Sequence, residues 1–243
     1  MKLHLKKLIS NLLYPKHLKC IFCEDEIKIL NAYDICENCN KNLPRIINNF
    51  CIRCGQPHPT EASGICLNCT GANFYFEKAR ASLKFEGDVQ KTIHKFKYAR
   101  YKFLAQPLAE FLFDTLQSTD WEIDLISYVP LFPTREKTRG YNQSQLLAQE
   151  LSNLTNIPIF NDLVRLRDTP TQTHLSRKER RKNVENCFKV NNKNAVNNKT
   201  ILLVDDVFTT GSTCDEISKE LKKHHAKEVY VLTISHANFK QKF

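Results

Sequence analysis

No stretch of the 243-residue chain stays apolar long enough to cross a bilayer, so no transmembrane helix is expected. A secretory signal is not expected either. The first fourteen residues, Met1-Lys-Leu-His-Leu-Lys-Lys-Leu-Ile-Ser-Asn-Leu-Leu-Tyr14, have their apolar positions broken by Lys6, Lys7, Ser10 and Asn11, and no small-residue cleavage site follows. Neither GxGxxG nor a Walker A sequence occurs, which disfavours dinucleotide binding and P-loop nucleotide hydrolysis. No repeat occurs beyond a recurring cysteine pair. Acidic residues are in deficit: 26 Asp and Glu face 36 Lys and Arg, for a net charge of +10 and a pI near 9.1. That balance suits anionic partners, whether phosphates, nucleic acid or an anionic membrane surface, and does not choose between them.

What is present starts with ten cysteines, eight of them in four CxxC pairs: Cys20/Cys23, Cys36/Cys39, Cys51/Cys54 and Cys66/Cys69. With no secretory signal, that pattern indicates metal in a reducing cytoplasm rather than disulfides. A CxxC turn brings two thiolates to one tetrahedral ion, and two such knuckles complete a four-cysteine zinc site. Twelve residues separate the first two pairs and eleven the last two, lengths that fit short hairpins. Two consecutive zinc ribbons are therefore expected, holding two structural Zn2+ ions. Sequential pairing closes smaller loops; an interleaved cross-brace and an iron–sulfur cluster stay open as alternatives. A segment this small needs its metal to fold, and loss of Cys20 is expected to unfold the front end and leave the remainder folded. Cys187 and Cys214 fall outside the pairs and read as core residues.

Ile201-Leu-Leu-Val204 suits a strand buried on both faces of a parallel sheet, and Asp205 and Asp206 follow where that strand should end. Next come Thr209, Thr210, Gly211, Ser212 and Thr213, then a helix carrying Cys214, Ile217 and Leu221 on one face. Ligands of open α/β sheets bind at the carboxyl ends of strands. A helix N-terminus with hydroxyl side chains suits a phosphate. Adjacent carboxylates suit vicinal hydroxyls, which donate to them. A phosphorylated sugar meets both demands. The acids are expected to face solvent, so that removing Asp206 would relieve repulsion with Asp205. The stretch resembles the 5-phosphoribosyl 1-pyrophosphate (PRPP) motif of type I phosphoribosyltransferases.

Elsewhere, strands are expected over Lys78–Phe85, Ile123–Val129, Leu163–Arg167, Phe188–Val190, Ile201–Val204 and Val229–Ile234. Helices are expected after Gly87, with Val89, Ile93, Phe96 and Lys97 on one face, and over Leu104–Leu116 and Tyr141–Leu154. The alternation implies βαβ units and a mainly parallel sheet flanked by helices, an α/β fold behind a small zinc module. The expected layout is a basic amphipathic helix over residues 1–17 with a stripe of Leu5, Leu8, Ile9, Leu12 and Leu13, the double ribbon over 18–73, and the α/β domain over 74–243. The N-terminal helix is open to docking on its own protein or to peripheral contact with the inner membrane. Two prolines stiffen the exit from Val129 before Arg135, Lys137 and Arg139, cations suited to a diphosphate. The segment from Arg165 to Lys182 carries seven basic residues, Arg177, Arg180 and Arg181 among them, and reads as a mobile cationic lid.

These segments resemble the ComF family. The resemblance rests on the cysteine-rich front, Lys84-Phe-Glu-Gly87, Phe96-Lys-Tyr98, Arg139-Gly-Tyr-Asn-Gln143, Thr169-Pro-Thr-Gln172, Leu175-Ser-Arg177, Arg180-Arg-Lys-Asn183 and the stretch from Asp205 to Thr213. It implies a phosphoribosyltransferase-like domain behind a zinc module, required for DNA uptake in natural transformation. On that reading Thr209 to Thr213 hold the 5-phosphate and Asp205 and Asp206 the ribose hydroxyls. Arg135, Lys137 and Arg139, with the lid arginines, Arg177 and Arg181 among them, would neutralise the leaving pyrophosphate, with Mg2+ on the diphosphate and ribose oxygens. The acceptor is open. The alternative is a non-catalytic module that keeps the fold and handles single-stranded DNA. Competence-machinery proteins are further expected partners.

Overall fold

The computed structural model describes residues 19–29, 31–58, 64–169 and 176–237, and of Arg177 the backbone only. The stripe read over residues 1–17 lies outside these, as do Pro170 to Leu175 of the expected lid. Four parallel strands form the main sheet in the order β1-β6-β5-β2: β1 (Lys78–Lys84), β2 (Leu125–Tyr128), β5 (Thr200–Phe208) and β6 (Glu228–His236). β3 (Leu163–Arg165) and β4 (Phe188–Val190) pair antiparallel as a separate ribbon. The described helices are α1 (Glu37–Asn42), α2 (Gly87–Tyr98), α3 (Ala105–Gln117), α4 (Pro133–Arg139), α5 (Gln143–Thr155), α6 (Arg177–Val184) and α7 (Ser212–Lys223).

β5 is interior, and Ile201, Leu202, Leu203 and Val204 are all fully buried, which explains its unbroken apolar run. Leu202 and Val204, with Leu232 and Ile234 of β6, share a core with Ile93, Phe96, Leu108, Leu112, Leu147 and Leu151 of α2, α3 and α5. Ile201 and Leu203, with Val229 and Val231, share the other core with Cys214, Ile217 and Leu221 of α7. The strand outlasts the expected end at Val204, because ladder pairing with β6 continues through Asp205, Val207 and Phe208.

Two helices replace expected loops. α4 has Pro133 in its first turn and the left-handed Gly140 just beyond its end, the favoured places for both residues. It buries none of its residues, so it leaves no apolar period to read. α6 opens on a capping box, with Ser176 and Glu179 satisfying each other's backbone N–H. The described part of the expected lid is thus a capped helix, with Arg180 and Val184 buried.

The cysteine-rich front is continuous with both cores. Cys20, Ile21, Phe22 and Ile35 belong to the first, and Cys51, Cys54, Cys66 and Cys69 to the second. The Thr92 hydroxyl of α2 donates to the Ile21 carbonyl at 2.9 Å, and the Ala79 N–H of β1 to the Arg53 carbonyl at 2.8 Å. Gly55 sits at φ +71, and a Cβ there would lie 2.8 Å from the Ala79 carbonyl oxygen. The front end therefore shares its apolar interior with the sheet, and the expectation that it unfolds alone gives way to a coupled one.

Candidate functional site

The carboxyl end of β5 carries the acid pair into a left-handed turn at Gly211, φ +76, and α7 starts at Ser212. A Cβ at Gly211 would lie 2.7 Å from the Phe208 ring, so the turn requires glycine twice over, by conformation and by contact. The hydroxyls of Thr210 and Ser212 pair at 2.9 Å. Asp205 accepts from the Ser144 hydroxyl at 2.8 Å. Asp206 is 3% exposed, and its Oδ1 meets the Lys97 ammonium at 2.8 Å. Its Oδ2 is buried with no hydrogen-bond partner among the described residues. The expectation of a solvent-facing Asp206 is corrected: it is buried at the wall of the cleft, and Lys97 of α2 supplies a counter-ion.

A cavity of about 430 Å³ opens at this strand end. Lys97, Arg139, Arg165 and Arg180 line it together with Asp205 and Asp206, Gln143 and the loop residues Thr209, Gly211, Ser212 and Thr213. Four cations outweigh two carboxylates, which turns an acidic strand end into an anion site. Burial lowers the pKa of Arg180, and burial with the neighbouring Arg135 lowers that of Arg165. The Arg180 guanidinium also donates to the Thr209 hydroxyl at 3.1 Å, tying α6 to the loop.

The segment Arg139 to Gln143 builds the opposite wall. Gly140 caps α4 at φ +85, and the Tyr141 hydroxyl donates to the Phe96 carbonyl. Asn142 caps α5 through Ser144 N–H at 3.0 Å while donating to the Val129 carbonyl at 3.0 Å. That double role locks the exit of β2 to the start of α5 and sets Ser144 against Asp205. The Arg139 guanidinium donates to Gln143 and lies 5.1 Å from the Tyr98 ring centroid.

Some expected residues do not reach the cavity. Arg135 pairs with Asp168 at 2.7 Å and donates to the Thr169 carbonyl, because α4 turns it toward the exit of β3. Lys137 does not line the cavity. Arg181 pairs with the buried Asp215 at 2.8 Å, on the other side of the loop from the acid pair. Thr210 faces the second ribbon rather than the main cavity. The side chain of Arg177 lies outside the description. Arg165 and Arg180, read as lid arginines, do line the cavity, whereas Lys97 and Ser144 had no assigned role from sequence. A lysine on the face of Val89, Ile93 and Phe96 was the available signal for Lys97.

Burial, and then the neighbouring Asp206, push the Asp205 carboxyl up from 3.8 to about 7. The folded state thus holds this proton more tightly than the unfolded chain. The resulting stability is fully present below about pH 4 and is lost as pH rises to about 7. Asp205→Asn is expected to raise the melting temperature at pH 8 by roughly 3–6 °C, with the gap closing by pH 4 in parallel thermal melts. An unchanged gap between pH 4 and pH 8 would show that folding does not raise the Asp205 pKa. Cys214 is buried, and burial together with Asp205 and Asp215 pushes its thiol well above the ordinary range, so it is a packed residue.

Away from this site, the cysteines gather in sequential fours, Cys20, Cys23, Cys36 and Cys39, then Cys51, Cys54, Cys66 and Cys69, each with its sulfurs within 4.8 Å of one another. Zn–S bonds of about 2.3 Å in a tetrahedron place sulfurs roughly 3.8 Å apart. Cys23 to Cys36 measures 3.5 Å and Cys54 to Cys66 3.7 Å, so both sets fit zinc. The Cys39 N–H donates to the Cys36 sulfur and the Cys66 N–H to the Cys51 sulfur. The sequential pairing excludes the cross-brace.

A parallel α/β sheet with an acid pair and a hydroxyl-rich loop at its carboxyl edge, behind two four-cysteine sites, defines a zinc-ribbon protein with a phosphoribosyltransferase-type fold. Family models agree: residues 9–70 match a double zinc ribbon domain and residues 137–242 a phosphoribosyl transferase domain. Competence protein F of Haemophilus influenzae is 32% identical over 228 residues, covering 91% of this chain and 98% of that protein. The DNA utilization protein YhgH of Salmonella typhimurium is 31% identical over 210 residues, covering 83% of this chain and 90% of that one. Among solved structures, the allosteric regulatory enzyme of purine biosynthesis overlaps 53% of this chain and 24% of its own, with 24% identity and a TM-score of 0.37. The chain belongs to the competence protein F family, ComF.

Proposed function

We propose that the chain binds PRPP at the end of β5 and serves DNA uptake on the cytoplasmic side, as a type I phosphoribosyltransferase whose acceptor is open. The observation that carries the binding is the unpartnered, buried Asp206 Oδ2 on the wall of a net-cationic cavity that ends at the α7 N-terminus. A buried acceptor without a donor is costly, and a ribose hydroxyl supplies one. Thr209 and Ser212 would take the 5-phosphate at the helix start. Lys97, Arg139, Arg165 and Arg180 would face the diphosphate; Arg139 and the lid arginines were read so in the sequence, and Lys97 joins them. Departure of pyrophosphate leaves positive charge at the anomeric carbon, which the acid pair stabilises. Mg2+ bound to diphosphate and ribose oxygens would supply further charge neutralisation. Calorimetry of PRPP with magnesium tests this: the expected result is binding below millimolar, and no heat at millimolar ligand rejects it.

DNA enters from the relatives, two of which are called competence and DNA utilization proteins. A specific surface supports direct contact with single strands. α6 exposes Lys178 and Lys182, and the groove beside it is bordered by Phe74 and the half-exposed Tyr75. Cations with aromatics suit a phosphate backbone with stacked bases. Replacing Lys178 and Lys182 together by Ala is expected to reduce the log-log salt slope of single-strand affinity by about 1.4, two phosphates at roughly 0.7 each. An unchanged slope in fluorescence anisotropy would place the strand elsewhere. DNA binding without PRPP binding would leave the non-catalytic reading. The paired thiolates imply two structural zinc ions and a reducing compartment. No helix among the described residues is long and apolar enough to cross a membrane. Competence-machinery proteins are the expected partners beyond DNA.

A further inference from the structure

Behind the phosphate loop, on the side away from the main cavity, lies a second, very small cavity of about 20 Å³. Its walls come from two places in the chain. One is the second ribbon, through the metal-site residues Cys54 and Cys69 and the pair Gln56 and Asn68, whose amides bond at 3.2 Å. The other is the loop itself, through Thr209 and Thr210, with Phe208 and His236 beneath. That volume is about right for one water. His236 is 3% exposed, and neither ring nitrogen has a hydrogen-bond partner among the described residues, so the cavity offers a polar group that a water would satisfy. The His236 ring stacks on Phe208 at 5.1 Å, and Phe208 is the ring that presses against Gly211.

The connection is reinforced on both flanks. Phe76, fully buried in the linker from the ribbon to β1, meets Phe208 edge-on at 6.0 Å. The Tyr75 N–H in the same linker donates to Asp215, in the first turn of α7, at 2.7 Å. The first ribbon's cysteines belong to the opposite core, with α2 and α3.

The structure assigns the second ribbon, and within it Gln56 and Asn68, as the positioning element of the phosphate loop: the ribbon holds the loop in the shape that takes a sugar 5-phosphate. This deepens the PRPP reading and rests on it. It gives the ribbon a task inside the ligand site, distinct from any grip on a partner. Because coupling between two sites is reciprocal, a ligand in the loop must also raise the metal affinity of the second site.

The test uses the full chain with ribose 5-phosphate, which needs no magnesium and so does not compete for a chelator. Gln56→Ala with Asn68→Ala changes the ribbon wall and touches neither a metal ligand nor the main cavity. The expected result is two zinc ions retained, an unchanged melting temperature, and ribose 5-phosphate affinity about fivefold weaker by calorimetry. The control, Asn38→Ala with Asn42→Ala on the first ribbon, is expected to leave affinity unchanged. In the wild type, ribose 5-phosphate should raise the second site's zinc affinity about fivefold in equilibrium competition with a chelator and leave the first site's affinity unchanged. The double variant should lose most of that gain. Ribose 5-phosphate affinity within twofold of wild type, or an equal gain at both sites, overturns the coupling while the pocket stands. No binding of ribose 5-phosphate or PRPP by the wild type removes the pocket, and this inference with it.

Discussion

Asp206→Asn is expected to weaken PRPP binding by about 1.5–3 kcal/mol, roughly ten- to hundredfold, the range for losing a hydrogen bond to a charged group. Asparagine keeps the shape and keeps an acceptor for Lys97. It loses the charge, and its amide presents donors where ribose hydroxyls also donate. Asp206 is the sharper choice over Asp205, because Asp205 already accepts from Ser144 whereas Asp206 Oδ2 has no partner among the described residues. The Lys97 pair changes what the substitution does to stability. Removing the carboxylate relieves repulsion with Asp205 and gives up the 2.8 Å ion pair, and these oppose each other. The melting shift is therefore expected to be small, within about 1 kcal/mol.

Lys97→Met makes the complementary case. Two adjacent carboxylates then lose the cation that joins them, and both stability and PRPP affinity should fall. Burial alone would lower the pKa of Lys97, and Asp206 with Asp205 holds it above the ordinary lysine value, so the ammonium stays charged in the cleft. Calorimetric affinities beside melting curves for both variants check the pair. Wild-type affinity in Asp206→Asn would remove the acid from the ribose site.

The parts of this arrangement legible in the sequence are those written in local pattern. The apolar run Ile201–Val204 names a doubly buried strand, and it lies in the sheet interior. The cysteine spacing names two four-sulfur sites, and they form in the favoured sequential pairing. The order of acids, hydroxyls and glycine names a strand end, a turn and a helix start, although the strand runs four residues further than its apolar run. What stayed hidden depends on neighbours. α4 and α6 carry no strong apolar stripe, so only proline, glycine and capping chemistry marked them. Arg135 and Arg139 look equivalent as sequence, yet the turn of α4 sends one to Asp168 and the other to the cavity. Lys97 reaches Asp206 across more than a hundred residues of chain, a pairing that no local spacing encodes.

The same lesson governs the metal. Removal of zinc under reducing conditions is expected to abolish the cooperative fold of the whole chain, not of the front end alone. The four cysteines of the second site are buried in one cluster with Phe76, Phe208, Ile217 and Val231. Four thiolates freed of their ion must protonate or separate inside that core. Structural zinc contributes on the order of 10 kcal/mol in small ribbons, against roughly 5–15 kcal/mol for an entire domain. A loss of half that amount already lowers the melting temperature by about 10–20 °C at this chain length. If the ribbons were a separable appendage, calorimetry of the stripped protein would show the α/β transition intact and only the front missing. With a shared core, one transition should shift as a unit or vanish. Cys51→Ser should reproduce the effect, because Cys51 is fully buried and also accepts the Cys66 N–H at 3.3 Å. Cys20→Ser, on the first site, should act through the other core, to which Cys20 belongs. A stripped protein that keeps an unshifted α/β transition would show the two parts to be independent.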